Sequence, residues 1–102
     1  MRQLELTNSA RQDLKEIWEY IAWNNLAAAN KLVKSITDKL PLLCDHPLMG
    51  SRRDDLLINL RSISVKKYII YYQPFDDRIE ILHVLHSSRD IKSVFERFFD
   101  SL

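Results

Sequence analysis

Three apolar runs separated by gaps of hairpin length constrain this chain more than any other feature of its sequence. The runs are Leu57 to Val65, Tyr68 to Gln73 and Arg78 to Leu85, and the gaps are Lys66-Lys67 and Pro74 to Asp77. Gaps this short leave no room for a crossover, so the strands must be antiparallel neighbours. Tyr68 to Tyr72 is apolar or aromatic at every position, the pattern of a strand covered on both faces or in the sheet centre. The meander leaves Arg61, His86 and Arg89 at strand ends, where chemistry is easiest to present.

What precedes the strands has a different period. Leu4 and Leu6 alternate in a short strand from Gln3 to Leu6, followed by the cap-type residues Thr7, Asn8 and Ser9. Ala10, Leu14, Ile17 and Ile21 then recur at helical spacing, predicting an amphipathic helix to about Trp23. Asn24-Asn25 breaks it and can cap a second helix whose stripe is Ala29, Leu32, Val33, Ile36, Leu40 and Leu43. Pro41, with no amide hydrogen and a ring that meets the preceding turn, is expected to kink or end that helix. Cys44 to Asp55 reads as a surface connection. Asp90 can cap a last helix with Val94, Phe95, Phe98, Phe99 and Leu102 on one face, which either packs on the sheet or meets a partner. The expected fold class is α+β: an N-terminal strand, a two-helix hairpin packed on a small antiparallel sheet (β-α-α-β-β-β), and a short C-terminal helix. Residues 1–102 form one domain, since a chain of 102 residues holds one core.

Composition removes several function classes. The chain has one glycine, Gly50, whereas dinucleotide folds and P-loops need several where backbone approaches phosphate. No Gly-x-Ser-x-Gly elbow frames Ser87 or Ser88, so neither makes a hydrolase nucleophile beside His86. The formal net charge of +1 gives no long-range field for generic nucleic-acid binding, so anion recognition must be local. The lone Cys44 admits no internal disulfide, and no apolar run reaches membrane-span length. A cytoplasmic protein without cofactor or membrane partner is expected. A metal site is not: Cys44 and His46 are too few, and His83 and His86 project to opposite faces of one strand.

The order Ala10-Arg11-Gln12-Asp13-Leu14, Ile17, Tyr20-Ile21, Ala29, Ile36, Leu40, Pro47, Gly50, Leu60-Arg61, Tyr68, Tyr72, Ile79, Ile81, Val84-Leu85-His86 and Arg89-Asp90 resembles the RelE/ParE superfamily of type II toxins. The resemblance covers nearly the whole chain. The ending Val84 to Asp90 and the long helical hairpin look like the ParE branch. The turn before Tyr68 departs from the pattern, being Lys66-Lys67 where many relatives carry glycine. The resemblance implies a small toxin neutralised by a cognate antitoxin whose C-terminal segment wraps over it. ParE-like members inhibit DNA gyrase; RelE-like members cut mRNA in the ribosomal A site. A homodimer or a toxin–antitoxin hetero-oligomer is the assembly it suggests.

The two activities ask for different residues. Metal-independent RNA cleavage needs a base for the 2′-hydroxyl, an acid for the leaving oxygen and cations on the phosphate. Arg61, Lys66, Lys67 and Arg89 are the available cations, and His86 the one acid or base candidate. No tyrosine follows Tyr72, and the basic set is thinner than RelE-like nucleases carry, so binding without catalysis is the favoured reading. For a binding toxin the candidate contacts are Trp23, Arg61, Lys66, Lys67, His86, Arg89, Phe95 and Phe99, while Trp18 beside the apolar stripe is expected in the core. Structural readings stand beside these: an ion pair from Arg61 to Asp90 or Glu80, a loop hydrogen bond for His86, and Asp90 as a helix cap. A family member that binds antitoxin but has lost toxicity is a further alternative.

Overall fold

A computed structural model describes residues 2–100, with side chains through residue 97. The elements in order are β1 (Gln3–Leu6), α1 (Asn8–Ala22), α2 (Leu26–Asp45), β2 (Ser51–Arg52), β3 (Arg61–Val65), β4 (Tyr68–Pro74), β5 (Arg78–His86) and α3 (Ile91–Asp100). Thr7 caps α1, its hydroxyl accepting from the Ala10 amide at 3.0 Å, and Asn25 caps α2 by accepting from the Ala28 amide at 3.0 Å. The sheet order is β1-β5-β4-β3-β2, with β1 parallel to β5 and every other pairing antiparallel. The expected meander is β3-β4-β5; β1 extends it along the far side of β5.

Two cores sandwich the sheet. On one face Ile70, Tyr72, Ile79, Ile81 and Val84 pack with Ala10, Ile36, Leu40 and Leu43 of the helical hairpin. On the other, Tyr71, Leu82 and Leu85 pack with Val94 and Phe95 of α3 and with Leu56 and Leu60. Alternation along β4 thus supplies both cores, which is why its sequence is continuously apolar. Strand β5 needs a further device. Its register shifts at a bulge, Tyr71 facing His83 while Tyr72 faces Ile81, so Leu82 is the extra residue. The bulge lets Ile79, Ile81 and Val84 all face the hairpin, although strict alternation would separate Ile81 from Val84.

Three boundaries differ from the sequence expectation. Helix α2 runs through Pro41 to Asp45, because Leu40, Leu43 and Cys44 on either side of it are buried and hold the last turn on the core. Burying each leucine is worth about 2 kcal/mol, enough together to offset the roughly 3 kcal/mol cost of a proline inside a helix. The segment expected as a plain connection contains β2, which pairs Ser51 with Ser62 and Arg52 with Arg61. Strand β3 begins at Arg61 rather than Leu57, since residues 54–60 turn back on themselves: the Leu57 amide donates to the Arg53 carbonyl at 3.3 Å and Asn59 takes φ 67°. Trp18, expected in the core, is 37% exposed and donates from its indole N–H to Asn30 Oδ1 at 2.8 Å. Indole keeps a polar edge, and a partner at the surface satisfies it.

Candidate functional site

The register separates the candidate residues into two ends of the sheet. Arg61 lies opposite Tyr72 and His86 lies opposite Tyr68. Tyr68 and Tyr72 are four residue steps apart on β4, a spacing of roughly 13 Å along the strand, and β4 itself lies between β3 and β5.

At the first end Arg61 is a loop clamp. Its guanidinium donates to the Gly50 carbonyl at 2.7 Å and to the Leu48 carbonyl at 3.2 Å. The expected ion pair with Asp90 or Glu80 is absent; Glu80 is taken by Arg78 at 3.4 Å, and Asp90 Oδ1 accepts from the Ser93 amide at 3.4 Å, the weak helix cap anticipated. Tyr72 works on the same loop, accepting from the Gly50 amide at 2.9 Å and donating to the Pro47 carbonyl at 2.8 Å. Burial pushes the Tyr72 phenol above its ordinary value, the Gly50 amide and Arg61 acting the other way, so the proton it donates is retained.

The other end gathers the remaining candidates. Lys66 and Lys67 form the β3–β4 turn, Lys66 at φ 56°, and the Ser87 amide donates to the Lys67 carbonyl at 2.8 Å, bringing the end of β5 against it. Beside this turn a groove of about 450 Å³ opens between α1 and the ends of β4 and β5, lined among others by Ile17, Tyr20, Tyr68, His86 and Arg89. Tyr20 is 81% and Trp23 88% exposed, so α1 ends in an aromatic pair that the core does not use. A surface of Trp, Tyr and Arg is the composition of binding hot spots.

His86 is held in one tautomer by the hydrogen-bond network. The Ser88 amide donates to its Nδ1 at 3.1 Å, and the Ser88 hydroxyl lies 2.8 Å from the same atom. A backbone N–H can only donate, so Nδ1 is an acceptor and the neutral ring carries its proton on Nε2. The expected loop hydrogen bond is present, and it leaves His86 a donor with its lone pair occupied, which is not the state of a general base. Its ring meets Tyr68 edge-on at 5.2 Å.

His83 has the opposite tautomer, a relationship the sequence reading missed. Its Nδ1 lies 2.7 Å from Asp13 Oδ2, and a carboxylate accepts, so the ring proton there faces Asp13. The same oxygen accepts the Val84 amide at 3.0 Å. That amide points off the edge of β5 beyond the end of β1, and the Thr7 hydroxyl likewise donates to the Leu82 carbonyl at 2.8 Å. Helix α1 thereby closes a strand edge that β1 leaves open. The only sequence signal was an acid on the polar flank of the α1 stripe.

Phe95 is not an exposed contact: it is 1% exposed and packs edge-on against Tyr71 at 5.5 Å and His83 at 5.9 Å. A helix this short is held by its apolar face, which α3 turns onto the sheet. The side chains of Phe98 and Phe99, and Leu102, lie outside the described residues. Among the described residues no group of three or more His, Cys, Asp or Glu gathers to hold a metal, and no helix is long and apolar enough to cross a membrane.

Comparison with known proteins places this geometry. Residues 4–91 match the family described as the ParE toxin of the type II toxin–antitoxin system parDE. Toxin ParE1 of Caulobacter vibrioides is 26% identical over 95 residues, covering 91% of this chain and 97% of that protein. Among solved structures, a chain of a chromosomal ParDE system from P. aeruginosa superposes with a TM-score of 0.73 at 20% identity, covering 84% of this chain and 96% of that one. A chain of the RelBE2 toxin–antitoxin complex of Mycobacterium tuberculosis gives 0.60 at 22% identity, covering 83% and 96%. At these identities the structural likenesses establish the fold.

Proposed function

The chain belongs to the ParE toxin family of type II toxin–antitoxin systems, and from that premise we propose that it inhibits DNA gyrase by binding, without catalysis, and is neutralised by a cognate antitoxin in the cytoplasm. The observation that carries the binding reading is the dispersal of the cleavage set. Arg61 is committed to two loop carbonyls at one end of the sheet, while His86 sits at the other with its Nδ1 lone pair occupied by Ser88. RNA cleavage requires base, acid and cation around one phosphate. What the second end offers instead is exposed Trp23 and Tyr20, the cations Lys66, Lys67 and Arg89, and a groove. Those groups suit a protein surface.

The antitoxin partner is supported by the solved structures that share this fold, which come from a ParDE system and a RelBE2 toxin–antitoxin complex. Two assays on the purified chain test the function: supercoiling by gyrase, and cleavage of mRNA on translating ribosomes. Inhibited supercoiling with intact transcripts is the expected result. Cuts at the A site without an effect on supercoiling establish the RelE-like reading, and silence in both marks a non-toxic antitoxin-binding member.

A further inference from the structure

A second, smaller pocket of about 250 Å³ lies between α1, β5 and α3, lined by Ser9, Asp13, His83, Arg89, Val94 and Arg97 among others. Its charge is not what a count of residues suggests. Asp13 is already engaged by His83 and the Val84 amide, at 2.7 Å and 3.0 Å, so its carboxylate is held at the strand edge. Among the described residues the Arg89 guanidinium has no hydrogen-bond or ion-pair partner. Arg89, Asp13 and Leu85 also line the 450 Å³ groove, so the two depressions adjoin and share Arg89 on their common rim. One side of Arg89 carries Ile17, Tyr20 and Tyr68 together with the acid Glu16; the other carries Ser9 and Arg97 together with the apolar Val94.

We propose that Arg89 anchors a carboxylate side chain of the antitoxin in the smaller pocket while an adjacent apolar side chain of the same segment fills the aromatic groove. The proposal rests on the toxin–antitoxin reading given above. An arginine fork pairs with a carboxylate through two parallel N–H donors, and such charge-assisted bonds are the strong ones. A net charge of +1 gives no field to gather a polyanion, so the selected ligand is a local negative group rather than nucleic acid. A pocket of this volume between three elements admits one side chain. Exposure of Arg89 on the loop after β5 means that its replacement leaves both cores intact.

The test measures binding of the intact chain to the product of the adjacent reading frame, with Arg89→Glu, Arg89→Lys and, as a charge control at an exposed α2 residue that lines neither depression, Lys31→Glu. Melting curves confirm that each variant is folded. The expected result is a loss of about 30-fold or more for Arg89→Glu, a smaller loss for Arg89→Lys, which keeps the charge without the fork, and less than threefold for Lys31→Glu. An Asp or Glu to Arg exchange in the antitoxin that restores binding to Arg89→Glu identifies the paired carboxylate. If the wild-type chain binds and Arg89→Glu binds within threefold of it, the anchor is wrong and the toxin–antitoxin reading stands. Equal losses for Arg89→Glu and Lys31→Glu also overturn the anchor, because they report overall charge. If the wild-type chain does not bind the adjacent product, the toxin–antitoxin reading falls and the anchor with it.

Discussion

Arg61 and Tyr72 face each other across β3 and β4, and both direct their polar groups onto the loop of residues 47–50. The pair satisfies the buried Gly50 amide and the part-buried Pro47 and Gly50 carbonyls. Replacing Tyr72 with Phe keeps the ring in its core and strands the Gly50 amide and the Pro47 carbonyl. The expected cost is about 1–3 kcal/mol in denaturant unfolding, with Arg61→Ala in the same range. A fully stable Arg61→Ala chain would return Arg61 to the list of functional residues.

Gly50 is required for closeness rather than for a special φ. A Cβ there would lie 2.7 Å from the Ser62 carbonyl and 2.7 Å from the Tyr72 hydroxyl. A backbone carbonyl and a hydroxyl held by two hydrogen bonds have little freedom to retreat, so Gly50→Ala is expected to destabilise by about 1–3 kcal/mol, read from the denaturation midpoint.

Lys66 holds a left-handed conformation at φ 56° that costs an L side chain about 1 kcal/mol. Lys66→Gly is expected to raise stability by up to about 1 kcal/mol, partly offset by the greater freedom of glycine in the unfolded chain. A melting temperature that falls would show that the lysine side chain contributes more than its backbone costs.

The acid limb of stability has two contributors in the turn before β3, Asp54 and Asp55, the second held low first by its hydrogen bond with Arg53. The Asp54 carboxylate is held below its ordinary value first by the Asn59 amide, at 2.9 Å, and then by Arg52. A lowered folded-state value means that this contribution is present above the ordinary aspartate value of about 3.9 and is lost as pH falls through the lowered one. Asp54→Asn is expected to flatten the stability profile between those two points, and an NMR titration of Asp54 in the folded chain locates the lower one.

The elements were legible in the sequence wherever periodicity decides them: the α1 and α2 stripes, the doubly covered β4 and the two short turns. The misses share one physical cause, long-range contact overriding a local signal. Pro41 marks a stop, yet burial of Leu40 and Leu43 carries α2 past it. The Asp13–His83 contact joins residues seventy positions apart, and nothing local to either announces it. At the candidate site, the exposure of Trp23 and the loop bond of His86 followed from position. A structural role for Arg61 is legible but its partners are not, because they are carbonyls of another loop and backbone acceptors leave no trace in a sequence.

The central claim is that the chain acts on gyrase by binding and not by cleaving RNA, and a supercoiling titration comparing the wild-type chain with His86→Gln tests it most directly. Inhibition by both is expected, within a few-fold of each other, with relief on adding the antitoxin. Undiminished supercoiling at saturating toxin, with ribosomal transcript cuts that vanish in His86→Gln, would contradict it.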